Sequence, residues 1–273
     1  MRTRVLYVTD LTYPARGRRY GDEDIHLSAS LRRHFDVALC HPTQAAALMG
    51  AFDVVVVRNS GPVLSYQQAY DAFRTQALNE GAKVFTQLTG KGDALGKQYL
   101  LDLYRQGYPV IPTVDERADL SRLPTVERYV IKPKGGADSV GLRVLGADEL
   151  AGAQLDGVLV QPLIPFAHEV SFYFVDREFQ YALHAPNPEQ RWDLAPCEAG
   201  KADLAFAQRF VDWNDIDHGI QRVDACRTRT GELLLMELED LNPYLSLDRV
   251  DAATRERFTN RMVASIQQLC PDA

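Results

Sequence analysis

Cysteine is scarce and scattered. Cys40, Cys197, Cys226 and Cys270 form no Cys-x-x-Cys pair, which argues against a zinc site and against a compact disulfide framework. Reduced thiols in a cytoplasmic protein are the simplest reading. No apolar run reaches transmembrane length, and the four apolar residues of Val5 to Val8 are too few for a signal-peptide core. Basic tracts are missing too. With 30 Lys and Arg against 37 Asp and Glu the net charge is −7, which disfavours a general nucleic-acid or membrane-surface role. Arg16-Gly-Arg-Arg19 is the nearest thing to a basic patch; it reads either as a holder of one small anion or as a solvated loop, and is too short to track a phosphate backbone.

The usual nucleotide fingerprints are also absent. No Gly-x-Gly-x-x-Gly turn follows the first strand, where the chain reads Asp10-Leu-Thr-Tyr-Pro-Ala-Arg-Gly17. Gly96-Lys97 resembles the end of a P-loop, but that pattern needs Gly at 91 and Ser or Thr at 98, and this chain has Lys91 and Gln98. A Rossmann dehydrogenase and a P-loop ATPase are both disfavoured. There is no internal repeat and no low-complexity tract.

What remains is a globular composition, 46% hydrophobic and 25% charged over 273 residues, enough for a large core and two or three subdomains. Residues 1–90 alternate strand and helix: strands over 5–8, 36–40, 53–57 and 83–85, helices over 22–34 and 65–79, the latter stopped by Gly81. The strands at 36–40 and 53–57 read as buried parallel strands, giving a small open parallel-sheet α/β domain. Asp22-Glu-Asp24 opens the first helix, where capping and the helix dipole explain the acids; His26 reads as an ordinary helical residue. Ligands of open parallel sheets sit beyond the carboxyl ends of the strands, so Arg58, with Asn59 beside it, is a candidate for a substrate carboxylate or phosphate. A solvated arginine is the alternative.

Further on, an amphipathic helix is predicted over 93–106, with Lys97 off its apolar face. Arg128 to Lys132 reads as a strand ending in a lysine, followed by Lys134-Gly-Gly-Ala-Asp-Ser-Val-Gly141 and a second strand over 142–145. Such a glycine-rich hairpin is either a flap whose N–H groups close over phosphates or an ordinary surface turn. Strands over 157–164, 170–175 and 179–184 come next, then a helix near 202–213. The stretch Gly219 to Pro243 reads as two strands joined by a turn at Thr230-Gly231. Residues two apart on a strand share a face, so Glu237 and Glu239 project together, and the partner strand brings Asp224 opposite them. Unpaired carboxylates converging beside Leu233-Leu-Leu-Met236 need a cation between them, and hard oxygen ligands suit Mg²⁺. A solvated hairpin whose acids face water is the competing reading. A helix over 251–269 closes the chain.

Two lysines, a glycine flap, an apolar strand ending in polar residues and an Asp…Glu-x-Glu hairpin, in this order, resemble the ATP-grasp superfamily over nearly the whole chain. The likeness is greatest to the small amino-acid ligases around glutathione synthetase, D-alanine–D-alanine ligase and the D-cycloserine-forming cyclo-ligase. Asp224 and Glu237 are thirteen residues apart, as in D-alanine ligases, and Arg222 stands where that family keeps its transition-state arginine. The resemblance implies an α/β (α+β) ATP-grasp fold: an N-terminal domain over 1–90, a small subdomain with the flap over 91–160, a C-terminal subdomain with the metal site over 161–273, and nucleotide between the last two.

Carried over residue by residue, it places Lys97 and Lys132 on the phosphates of ATP under the flap Gly135 to Gly141, with Gly136 and Ser139 within it. Gln161, Leu163 and Ile164 form the adenine slot, Glu169 holds the ribose, and Asp224, Glu237 and Glu239 carry two Mg²⁺ ions. Arg222 stabilises the developing anion. This chain departs at Gln161, often Glu elsewhere, and at Glu239, as in the cyclo-ligase branch where others have Asn. The implied activity joins a small-molecule carboxylate and an amine, with a kinase or a peptide-modifying component on the same fold as alternatives and a homodimer as an expected assembly. Substrate determinants are expected at 16–20, at 58–60, in the loop of Asn187 to Trp192 with Arg191, and at Asn242 to Leu245; His184 and His218 are either bases there or structural residues.

Overall fold

The computed structural model describes residues 2–13, 20–58, 65–135, 139–187, 190 and 193–270. Its N-terminal sheet has the order β2-β1-β3-β4, formed by β1 (Arg4–Val8), β2 (Asp36–Cys40), β3 (Val54–Val57) and β4 (Val84–Phe85), with α1 (Tyr20–Leu31), α2 (Ala45–Leu48) and α3 (Gln67–Glu80) as the helices of the unit. All its pairings are parallel. Val5, Tyr7, Val54 and Val56 face one core, and Leu6, Val8, Val55 and Val57 face another against Tyr70, Phe73 and Ala77 of α3. Burial on both faces is why β1 and β3 are apolar at every position after Arg4. Gly81, left-handed at φ 65°, ends α3.

Three expectations change here. β2 is an edge strand with Asp36 and Leu39 exposed, not a buried one. α1 starts at Tyr20 and ends at Leu31. Its Glu23 and Asp24 are buried rather than capping, because both are turned inward against Arg58.

The segment over 93–106 divides into a single turn at Asp93–Leu95 and α4 (Tyr99–Arg105). Gly96 between them has φ +86°, which only glycine adopts readily, so one continuous helix cannot form. β5 (Arg128–Pro133) pairs antiparallel with β6 (Arg143–Gly146) on one side and with the later β7 (Val158–Pro162) on the other; α5 (Ala147–Gly152) packs beneath them. β7 crosses position 160, so this small sheet ends at Pro162.

The third sheet runs β10-β9-β8-β11-β12, from β8 (Phe166–Val175), β9 (Glu178–Ala185), β10 (Ala195–Cys197), β11 (Ile220–Thr228) and β12 (Leu233–Glu239), with α6 (Lys201–Asn214) between β10 and β11 and α7 (Ala252–Leu269) at the end. One face packs on α4 and α6 through Leu100, Leu103, Phe210 and Val211. The other shares a core with the N-terminal sheet through α1 and α7, where Phe258, Met262 and Ile266 meet Tyr173 and Tyr181. The two large sheets are thus joined by one apolar interior, and the small sheet has a core of its own. Asp251 caps α7 by accepting from the Thr254 N–H at 2.7 Å. No helix among the described residues is long and apolar enough to cross a membrane.

Candidate functional site

β11 and β12 build the centre of the site. Asp224 is the direct cross-strand partner of Glu237, and Arg222 of Glu239. Just beyond Asp224 the register shifts, Ala225 pairing with Leu235, so that Met236 is an extra residue in β12. A bulge of this kind resets the inward and outward alternation. Leu235 and Leu238 both enter the core although they are three apart, while Met236, Glu237 and Glu239 line a cavity of about 380 Å³. Oxygen atoms of Asp224, Glu237 and Glu239 lie within 4.8 Å of one another. The predicted carboxylate cluster is therefore assembled, and in a cleft rather than on a solvated hairpin.

Three cations balance it. Lys97 Nζ donates to Glu237 Oε1 at 2.7 Å, and Lys132 Nζ stands 4.0 Å from the same oxygen. Arg222 donates from Nη2 to Asp224 at 2.8 Å and to Glu239, and from Nη1 to the Tyr244 carbonyl at 2.9 Å. Burial pushes Glu237 up, but Lys97 and Lys132 outweigh it and hold the carboxyl down at about 2. Glu239 goes the other way, raised well above the usual carboxylate range by burial and, despite Arg222, by the acids around it. Burial, with Lys97 nearby, lowers the Lys132 ammonium to about 8. A donor set of hard, crowded, half-buried carboxylate oxygens fits a small divalent cation held with substrate phosphates.

The cavity extends from these acids under the small sheet. Gln161, Leu163, Ile164, Glu169 and Ser139 all line it. Gln161 has a fixed orientation: the Thr113 hydroxyl donates to the Ile111 carbonyl at 2.7 Å, so its oxygen is left to accept from Gln161 Nε2, also at 2.7 Å. The carbonyl end of the Gln161 amide is thereby left to accept from a ligand. Gly135 is exposed at the start of the flap, and the Lys97 N–H donates to the neighbouring Lys134 carbonyl at 2.7 Å, joining the first lysine to the flap base. Gly136 lies outside the described residues, as do the loop 14–19, Asn59, Arg191 and Trp192.

Other predicted residues lie elsewhere. Arg58 does not line the cavity; it is 2% exposed and engaged by Glu23, Asp24 and the Pro243 carbonyl, so burial keeps its guanidinium from a substrate carboxylate in the cavity. Asn242 is buried and does not line the cavity either. His218 faces the Val84 carbonyl at 3.1 Å, and His184 packs edge-on against His168, so neither histidine is placed as a base.

Several contributors escaped sequence reasoning. Tyr99 OH receives the Leu238 N–H at 2.8 Å and so holds β12 between its two acids. Asp240, beside Glu239, turns away from the cavity to accept from the N–H groups of Gly92 and Ala94 and from Asn214, while Asp93 accepts from the Asp240 and Leu241 N–H groups. Tyr173 and Leu194 line the cavity as well, beside Tyr20, which lies within the segment expected to contribute substrate determinants. Nothing in local sequence separates Asp240 from the ligating acids; only the direction of its side chain does.

No protein-family model and no curated sequence matches this chain. Solved structures do. D-cycloserine synthetase DcsG superimposes with a TM-score of 0.76 at 22% identity, over 97% of this chain and 99% of that one. D-alanine–D-alanine ligase from Bacillus anthracis, complexed with ATP, gives 0.69 at 12% identity over 99% and 100%. The ATP-grasp ligase PsnB complexed with precursor peptide PsnA2 and AMPPNP gives 0.66 at 15% over 97% and 98%. The fold is that of the ATP-grasp ligases, with its parallel and antiparallel sheets matched over nearly the full length.

Proposed function

We propose that the protein is an ATP-dependent carboxylate–amine ligase acting on a small amino-acid-like substrate and yielding a dipeptide or a cyclised product. The observation that carries this reading is the joint placement of Asp224, Glu237 and Glu239 with Lys97 and Lys132 in one cavity, alongside an amide, Gln161, fixed to accept a hydrogen bond. The cavity is the size of a small-molecule site. Its lining draws on both the segment read as the small subdomain, over 91–160, and the segment read as the C-terminal subdomain, over 161–273.

Lys97 and Lys132 receive the phosphates of ATP, exchanging Glu237 for the incoming oxygens, beneath the flap of Gly135 to Gly141. Gln161 accepts from the adenine amino group, with Leu163 and Ile164 against the base and Glu169 at the ribose. Asp224, Glu237 and Glu239 hold Mg²⁺, in two ions, which neutralises phosphate charge when bound. The substrate carboxylate attacks the γ-phosphorus and ADP leaves, giving an acyl phosphate; an amine then attacks its carbonyl carbon and phosphate leaves. Arg222 faces the oxyanion of that second step. Closure of the flap keeps water from the acyl phosphate.

The test is ADP and phosphate release from ATP and Mg²⁺ with pooled amino acids, with products weighed by mass spectrometry. A condensed product supports the ligase. A phosphorylated compound makes the protein a kinase, and condensation only in the presence of a peptide makes it a peptide-modifying ligase. Absence of release together with absence of a nucleotide-dependent rise in Tm overturns ATP use altogether.

A further inference from the structure

The loop that follows the metal-ligand strand is gripped at successive peptide groups. Arg58 Nη1 donates to the Pro243 carbonyl at 2.9 Å, Arg222 Nη1 to the Tyr244 carbonyl at 2.9 Å, and the Leu245 N–H to Glu23 Oε1 at 2.9 Å. Tyr181 OH then donates to the Leu245 carbonyl at 2.7 Å. Glu23 Oε1 also accepts from Arg58 Nη2 at 2.9 Å, so the two N-terminal-domain residues form one unit. Asp24 stands 3.4 Å from Arg58 Nε and is itself held by Tyr7 and Thr9.

Burying an arginine with two carboxylates is a costly way to hold a loop, since apolar residues of similar volume often stabilise as well or better. What the network supplies is direction. The Tyr244 carbonyl, one of three hydrogen-bonding groups that fix the Arg222 guanidinium, shares its peptide group with the Leu245 N–H that Glu23 holds, and Arg58 holds the carbonyl of the peptide group before it. The other two groups are Asp224 and Glu239, whose negative charge is shared with whatever cation binds there. Among the hydrogen-bond acceptors that the described residues offer Arg222, the Tyr244 carbonyl is the neutral one, which a bound cation does not compete for directly; the Tyr173 ring, 6.0 Å away, supports the guanidinium from its face.

We propose that Arg58 and Glu23 are positioning residues for Arg222: they hold the 243–245 segment so that the Tyr244 carbonyl keeps the guanidinium aimed into the cavity when the acids turn to a cation. This rests on the ligase reading, in which Arg222 meets the oxyanion. Arg58, on the N-terminal sheet, thereby serves the chemistry without touching substrate.

The experiment is a double-mutant cycle on the full chain. Arg58→Lys is expected to lower kcat about 30-fold with KM for ATP within about twofold, since small misplacements of a reacting group cost up to about 100-fold. In an Arg222→Lys background the same substitution changes kcat less than about twofold, because the residue it aims is already altered. Equal fold-losses in both backgrounds, or a change confined to KM, overturn the proposal. Tyr181→Phe, which deletes one hydroxyl from the same loop, repeats the cycle if Arg58→Lys does not fold. Independently of turnover, the Arg222 Nε–H signal in ¹⁵N NMR exchanges slowly in the wild type and faster in Arg58→Lys. Unchanged exchange overturns positioning even in an active enzyme, whereas faster exchange in a protein that makes no product supports positioning and removes only the ligase reading.

Discussion

Lys97 and Glu237 are 140 residues apart in sequence and 2.7 Å apart in space, a lysine from the turn before α4 closing on a carboxylate of β12. That contact joins the predicted phosphate end of the site to the predicted metal end. Glu237→Gln is expected to lower kcat at least about 100-fold, since it removes one of the charges that place metal and phosphates. Circular dichroism will show the fold retained. Wild-type turnover in this variant would remove Glu237 from the metal set.

Thr113 fixes the polarity of Gln161 through the Ile111 carbonyl. Thr113→Val removes that relay, and the amide becomes free to present either end to the base. The preference for ATP over GTP is expected to relax about tenfold, the scale of one misdirected hydrogen bond to a nucleobase edge. Comparing kcat/KM for the two nucleotides checks it.

Gly90 and Gly92 leave room for the Asp240 carboxylate. A Cβ on Gly90 would stand 2.2 Å from Asp240 Oδ2, too close for any real contact. Gly90→Ala must displace Asp240 from its donors and is expected to cost about 2–3 kcal/mol, read from the urea midpoint. An unchanged midpoint would mean that Asp240 has another place to go.

Asp53 is held down at about 2, against an ordinary 3.8, by hydrogen bonds from the Arg4 side chain and backbone. The unfolded chain binds this proton near 3.8 and the folded one only near 2. The contribution to stability is therefore full above about pH 4 and is lost as pH falls through about 2. The pair is partly exposed, so screening keeps the effect small. Asp53→Asn is expected to flatten the stability curve across that window alone, seen by comparing denaturant midpoints at about pH 5 and about pH 2.5.

Asp251→Ala removes the N-cap of α7, a helix that covers the shared core. A loss of about 1 kcal/mol is expected, a Tm decrease of roughly 2–4 °C for a chain of this size.

Periodicity and punctuation were sufficient for most elements. The Val-rich β3, the Gly81 stop of α3, the β5–β6 hairpin and the β11–β12 pair all lie close to where their patterns place them. Side chains two apart on a strand share a face whatever surrounds them, so the pairing of Asp224 with Glu237 was legible too. Gly96 was the misread position: its neighbours have helical spacing, but its φ of +86° divides the segment.

The roles of charged residues were much less legible. Arg58 and Asp240 are written like ligands, an arginine at a strand end and an acid beside Glu239, and both are buried clamps. Glu23 and Asp24 are written like a capping pair and hold Arg58 instead. The sequence by itself determined which segments become strands and helices and that three acids and two lysines must find partners, because those follow from local sterics, periodicity and charge. Only the tertiary structure decided which charges face the cavity and which face one another. A carboxylate reads the same in one dimension whether its neighbour across 140 residues is a lysine or a water, and burial energetics are settled by whoever arrives within hydrogen-bonding distance.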